Sequence, residues 1–404
     1  MTRLAARRRS FHAMLAVFVV FVTGCTLARA GPDAPAEPNV PTLARPGTVL
    51  FVPDERRAAL WAASSAQRSA WCGAQDLERR ADVLRPVRAL RDRRDGPDSS
   101  SEPFARLVME ATAAGFGNDD ATARRTLAEL LHRWAAADAL SDGSHLSDNS
   151  RYALDRTLLP TIVGFWLMGD DLPPGLAERG EIAAWLERLV RSRGEGPERG
   201  AQDTATTTAR NNHAYLRASV DMAWGALTGD ALPFARAIAT YRQALDDMRR
   251  DGSLPLETRR GARALWYQRH ALASLVTIAE MAAIQGHDLY GMKIDGRDLH
   301  RGIRFLLDGI DDPGRVRRYA KANVRPGTDS DYRHQDLSFL ERRGHGRHYM
   351  AWAEIYMARF PDRPEAHRLQ RLLARTDQDS GPMIDDYSGG NTTCFFAPVG
   401  AGEP

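Results

Sequence analysis

The sequence predicts an all-α fold: one domain of packed helix pairs, of the kind that can curve into an incomplete (α/α) toroid. Three observations carry this. From about residue 55 to 375 the apolar residues recur at helical spacing, and strand-like alternation is almost absent. Clusters of Gly, Pro and Asp punctuate the pattern at "GDDLPPG" (169–175), "RGEGPERG" (193–200), "DGSLP" (251–255) and "DDPG" (311–314). No linker divides 55–375, so a chain of 404 residues, 43% hydrophobic and 26% charged, buries one large core.

Residues 1–30 read as an export signal. Arg3, Arg7, Arg8 and Arg9 precede the apolar run "AMLAVFVVFVTG" (13–24), whose 12 residues are too few to span a bilayer. Two processing sites compete. "VTGC" (22–25) is a lipobox that would lipidate Cys25, and "ARA" (28–30) is an ordinary cleavage site. The lipobox is favoured because cysteine is rare here; "RRSF" (8–11) hints at twin-arginine export. The mature chain is therefore expected in the periplasm or outside the cell, touching a membrane only through such a lipid. Residues 31–54 read as a flexible tether. Cys72 and Cys394 remain, and in an oxidising compartment they either form one disulfide from the start of the domain to its tail or stay as two buried thiols.

Within the helical region 55–375, "PVRALRDRRDGPDSSSEP" (86–103) is a charged loop and a candidate lid. Leu127, Leu130, Leu131 and Trp134 form an i, i+3, i+4, i+7 stripe, which Ile182, Trp185, Leu186, Leu189 and Val190 repeat. The segment 263–283 is more apolar and reads as an inner helix covered on several sides. Trp61, Trp71, Trp166, Trp185 and Trp224 read as core residues rather than sugar platforms, whereas Trp266 stays open to either role. Residues 376–404 read as an irregular tail.

The net charge is only +3, and the basic residues are nearly all arginine, with Lys293 and Lys321 the exceptions. Nothing in that balance points to a nucleic acid, while arginine suits the recognition of carboxylates. There is no phosphate-cradling glycine loop and no G-x-S-x-G, which leaves nucleotide-dependent and serine-hydrolase chemistry without support. His334, His345 and His348 are spaced too loosely for a metal site and read better as a basic wall facing an anionic chain. Arg151, Tyr152 and Arg156 fall at i, i+1 and i+5 of one helix, a set too loose to assign.

Two stretches carry chemistry. In "TARNNHAYLRASVDMAWG" (208–225) an Asn before a helix is an ordinary cap, but Asn212 and His213 also present an amide and an imidazole. In "SLPLETRRGARALWYQRHAL" (253–272), Glu257 and Arg260 have the spacing of a local ion pair, and Tyr267 is compatible with a core tyrosine. Together they supply an amide, an imidazole, a guanidinium and a phenol, a set suited to β-elimination from a uronic acid. The C5 proton lies α to a carboxylate, so its removal requires that the carboxylate charge be neutralised. Asn212 and Arg260 would neutralise it, His213 would take the proton, and Tyr267 would protonate the departing O4 or act as the base. With the amide and guanidinium in that role, no metal or other cofactor is expected.

The pairing of "NNHAY" (211–215) with "DGSLPLETRRGARALWY" (251–267) resembles the alginate lyase superfamily, polysaccharide lyase family 5 and sister families such as the glucuronan lyases. "LLHRWAAADAL" (130–140) and "AWAEIYMARFPD" (351–362) support it, so the resemblance spans roughly 105–362. It implies an incomplete α/α toroid with a deep cleft. It also implies roles: Asn212 neutralises the carboxylate, His213 is the general base, Arg260 assists, and Tyr267 is the acid, or acid and base together. Glu257 would orient the arginine or touch sugar. Asn211, Tyr215, Arg342 and Arg343 complete the expected substrate contacts. The implied partner is an acidic polysaccharide, bound by a monomer. Leu216 replaces the family's Trp, and Gln268 and Arg269 replace its His-Asn, which bears on substrate choice: mannuronate-rich alginate first, glucuronan second. A glycoside hydrolase on a similar toroid would need two carboxylates, and the motifs offer Glu257 alone. A periplasmic polysaccharide-binding or export protein would not need the phenol and imidazole.

Overall fold

A computed structural model describes residues 41–90, 101–142, 147–169, 175–193, 208–323, 331–376 and 381–398. The expectations for the export segment, for Cys25, for the first part of the tether and for the centre of the 86–103 loop lie outside these residues. All the elements named below belong to the unit formed by Val40–Pro404.

Three short helices, α1 (Pro53–Ala62), α2 (Ser65–Cys72) and α3 (Leu77–Val83), precede the long ones. Then come α4 (Ser101–Gly117), α5 (Ala121–Ala136), α6 (Asp148–Leu167), α7 (Leu176–Ser192), α8 (Asn212–Thr228) and α9 (Ala231–Asp247). The single turn α10 (Pro255–Thr258) leads into α11 (Ala264–Ile284), followed by α12 (Leu299–Asp311), α13 (Gly314–Ala320), α14 (Trp352–Arg359) and α15 (Pro364–Thr376). The chain closes with the antiparallel pair β1 (Ile384–Asp385) and β2 (Gly390–Asn391) and the helix α16 (Thr392–Phe396).

The contacts alternate in a regular way. Helices α4, α6, α8, α11 and α14 each touch the next as an inner layer, and α5, α7, α9, α12 and α15 each back one of them. The inner layer returns on itself because α14 meets α16, and α16 and β2 meet α4. This is the α/α toroid arrangement. The sequence dictates it through stripe width. The α5 stripe of Leu127, Leu130, Leu131 and Trp134 is buried on one face, as an outer helix requires. Helix α11 is buried from Gln268 to Ala282 on every face, as an inner helix requires.

The termini depart from expectation. The end of the segment read as a tether is core: Val49, Leu50 and Phe51 are buried, and the Gln285 side chain binds the backbone of Arg45 and Thr48. The apolar triad outweighs the Pro/Ala stretch before it. Part of the segment read as an irregular tail is core as well, since Ile384 through Phe396 are almost all buried and fill the seam between α14 and α4. Cys394 is disulfide-bonded to Cys72 there, and Gly117 has no side chain because a Cβ would meet both sulfurs. Helix α4 begins at Ser101, inside the stretch read as a loop. Trp185 is fully buried and Trp224 nearly so, but Trp61 is 51% exposed on the peripheral α1, its ring covered by the Arg68 guanidinium at 4.2 Å.

Candidate active site

Helix α8 begins at the first motif. Asn211 is its cap, its Oδ1 accepting the His213 N–H at 3.0 Å, which projects Asn212 and His213 from the first turn. The second motif is aimed by a staple. Gln268 Oε1 accepts the Leu254 N–H at 2.9 Å, and its Nε2 donates to the Gly252 carbonyl at 3.0 Å. Gly252 sits at φ +95°, with the Arg301 carbonyl where a Cβ would stand. This loop fixes α10, and from it Glu257 Oε1 accepts the Asn212 backbone N–H at 2.6 Å.

From there the side chains follow one another in a ring. Glu257 lies within electrostatic reach of Arg260, whose guanidinium carbon lies 3.8 Å over the Tyr267 ring. Tyr267 meets the edge of His270 at 5.5 Å, one turn along α11. His270 stacks on Tyr387 at 4.9 Å and 17°, and Tyr387 lies 5.9 Å from Tyr152. Tyr152 stacks on His213 at 4.0 Å and 17°, and its hydroxyl accepts Asn212 Nδ2–H at 2.7 Å. Asn212, His213, Glu257, Arg260 and Tyr267 are thus gathered in one place.

Behind the ring lies an arginine–carboxylate network. Asp386 Oδ2 accepts from Arg156 Nε at 2.9 Å and also from Arg347, which in turn reaches Glu102. Arg269, fully buried, donates to the Tyr349 carbonyl at 3.0 Å and lies 3.8 Å from the Asp385 carboxylate. Burial and the neighbouring Asp386 push the Asp385 carboxyl well above its ordinary range. Burial, then Arg269 and Arg156, hold the His270 imidazole well below its ordinary value, so it is neutral at neutral pH. Burial lifts the Tyr152 phenol, which keeps its proton. Burial also pushes the Glu257 carboxyl up to about 7, against the pull of Arg260 and the Asn212 N–H.

The other expected contacts make structural hydrogen bonds of their own. Asn211 Oδ1 serves the cap, and the buried Tyr215 hydroxyl donates to the Arg210 carbonyl at 2.9 Å. Arg342 clasps the carbonyls of Gly381 and Pro382 at 2.7 and 2.9 Å, a structural strap on the C-terminal segment. Arg343 donates to the Ser338 carbonyl at 3.1 Å and lies 5.4 Å over Trp266. Among the described residues no cluster of three His, Cys, Asp or Glu side chains is placed to hold a metal. The sequence left Tyr152 and Arg156 unassigned and gave no sign of His270, Asp386 and Tyr387. Counting from Arg151 hid the signal, because Tyr152 and Arg156 are i, i+4 neighbours on one face.

A family model for alginate lyases matches residues 91–316, and the chain belongs to that family, whose members are polysaccharide lyases. A polysaccharide lyase of Stenotrophomonas maltophilia (strain K279a) is 28% identical over 284 residues, 68% of this chain and 74% of that protein. An alginate lyase of Pseudomonas entomophila (strain L48) is 30% identical over 199 residues, 47% of this chain and 51% of its own, so the match spans about half of it. In fold the chain is similar to alginate lyase A1-III from Sphingomonas species A1. The TM-score is 0.70 at 23% identity, covering 88% of this chain and 97% of that one. An alginate lyase from Bacteroides ovatus gives a TM-score of 0.61 at 14% identity, with 88% of this chain covered and 100% of that one.

Proposed function

We propose that this lyase cleaves a 1,4-linked polyuronate by β-elimination, with polymannuronate-rich alginate the favoured substrate and glucuronan the second. The observation that carries this reading is the ring of side chains: an amide, an imidazole, a guanidinium and a phenol from two distant motifs all belong to it. Asn212 and Arg260 bind the uronate carboxylate and take up the charge that develops as the C5 proton leaves. His213 accepts that proton; the electron pair forms the C4–C5 double bond, the C4–O4 bond breaks, and Tyr267 protonates O4. In the syn variant Tyr267 serves as both base and acid. A variant of alginate lyase A1-III has been crystallised with a tetrasaccharide, which fits an oligomeric sugar ligand for this fold.

We place the mature protein in the periplasm or outside the cell as a monomer, anchored if Cys25 is lipidated. The N-terminal pattern supports export, and the Cys72–Cys394 disulfide suits an oxidising compartment.

Purified protein mixed with alginate, polymannuronate or glucuronan is expected to raise the ultraviolet absorbance of the unsaturated uronate with one of them. New reducing ends without absorbance would mean hydrolysis. Binding without cleavage of any of the three would mean a polysaccharide-binding protein.

A further inference from the structure

Tyr152 touches both side chains on which the proposed elimination turns, yet no step of it uses Tyr152. One Nδ2 hydrogen of Asn212 is held by its hydroxyl at 2.7 Å, while Asn212 Oδ1 is buried with no hydrogen-bond partner. A buried carbonyl oxygen without a donor is costly, and beside a carboxylate it repels. A half-turn of the amide cures both faults. Oδ1 then accepts the Tyr152 O–H, and both Nδ2 hydrogens are free for the substrate. A phenol both accepts and donates, so Tyr152 serves either orientation of the amide. The same ring lies parallel to His213 at 4.0 Å, fixing the plane of the imidazole.

We infer that Tyr152 is a positioning residue of the elimination: it anchors the Asn212 amide with its donors toward the substrate carboxylate and holds the His213 ring in register. The inference rests on the roles given above to Asn212 and His213.

A double-mutant cycle tests it. Tyr152→Phe, Asn212→Ala and the pair are compared for kcat and KM on the polymer that is cleaved, and for calorimetric binding of a saturated mannuronate oligosaccharide. Tyr152→Phe keeps the stack and loses the hydroxyl. It is expected to lower kcat roughly tenfold to a hundredfold with KM changed less than about threefold. In the Asn212→Ala background the same change is expected to cost nothing further, a coupling that a merely structural role does not produce. Tyr152→Leu, which also removes the stack, is expected to lose more. Additive losses, or a Tyr152→Phe kcat within about twofold of the parent, overturn the inference. Should no polymer be cleaved, coupled losses in binding would uphold the Tyr152–Asn212 unit and overturn only the reaction. Absent or additive binding losses would overturn both.

Discussion

Glu257 Oε1 accepts the backbone N–H of Asn212 at 2.6 Å across 45 residues of chain, and this one bond welds the two motifs together. The carboxyl is fully buried, and burial pushes it up to about 7 despite Arg260 and the Asn212 N–H. Between the ordinary carboxyl range and that value, the folded chain holds a proton that the unfolded chain releases. Stability is therefore greatest below the ordinary range, declines as pH rises toward 7, and is level above it, by about 3 kcal/mol for this group. Denaturant midpoints at about pH 5 and about pH 8 should show the decline in the parent and a flatter profile in Glu257→Gln. An unchanged slope in that variant would assign the decline to other groups.

Tyr267 lies beneath the Arg260 guanidinium, with the carbon 3.8 Å from the ring, so removing its hydroxyl leaves the packing almost untouched. Tyr267→Phe is expected to lower kcat by about 10²–10⁴ with little change in KM or in the melting temperature. Full activity in this variant would remove Tyr267 from the proton transfers.

The toroid was legible because its signal is local. The stripes of α5 and α7 and the uniformly apolar α11 each declare their layer within about twenty residues of sequence. The centre of the site was legible for the same reason, since Asn212–His213 and Glu257–Arg260–Tyr267 are compact motifs. The far wall was not. Tyr387 reaches the site through a segment without periodicity, held by Thr277 across 110 residues, and Asp386 meets Arg156 across 230. Such pairings are decided by closure of the inner ring, which no short window contains. Gln268, a departure from the family pattern, turned out to serve the loop that aims Glu257.

Asp386 is the only carboxylate that Arg156 contacts among the described residues, and it also neutralises Arg347. Asp386→Ala would leave Arg156 without its carboxylate contact and Arg347 with Glu102 as its remaining one. A loss of about 3–5 kcal/mol is expected, and a smaller one for Asp386→Asn, which keeps an acceptor. Urea titrations read this as a shift in midpoint at constant slope. A loss below about 1 kcal/mol for the alanine variant would mean that solvent reaches the arginines.

The disulfide between Cys72 and Cys394 holds the segment that carries Asp386 and Tyr387 to the site, so its loss should be felt in activity as well as stability. It ties residues 322 apart, and closing a loop of that length restrains the unfolded chain strongly. The pairing is reinforced by Arg56, which donates to the Cys394 and Ala397 carbonyls at 2.9 and 2.7 Å, and by Asn391 Nδ2 on the Trp71 carbonyl at 2.8 Å. Cys72→Ala with Cys394→Ala is expected to lose about 2–5 kcal/mol and to melt at one temperature with or without a thiol reductant. The parent is expected to melt lower in reductant, and its turnover to fall at temperatures below that melt, as the segment detaches before the helices unfold. If reduction lowers the melt but turnover persists up to it, the hydrogen bonds of the segment, among them those of Arg56, Asn391, Arg342 and Thr277, keep Tyr387 in place without the disulfide.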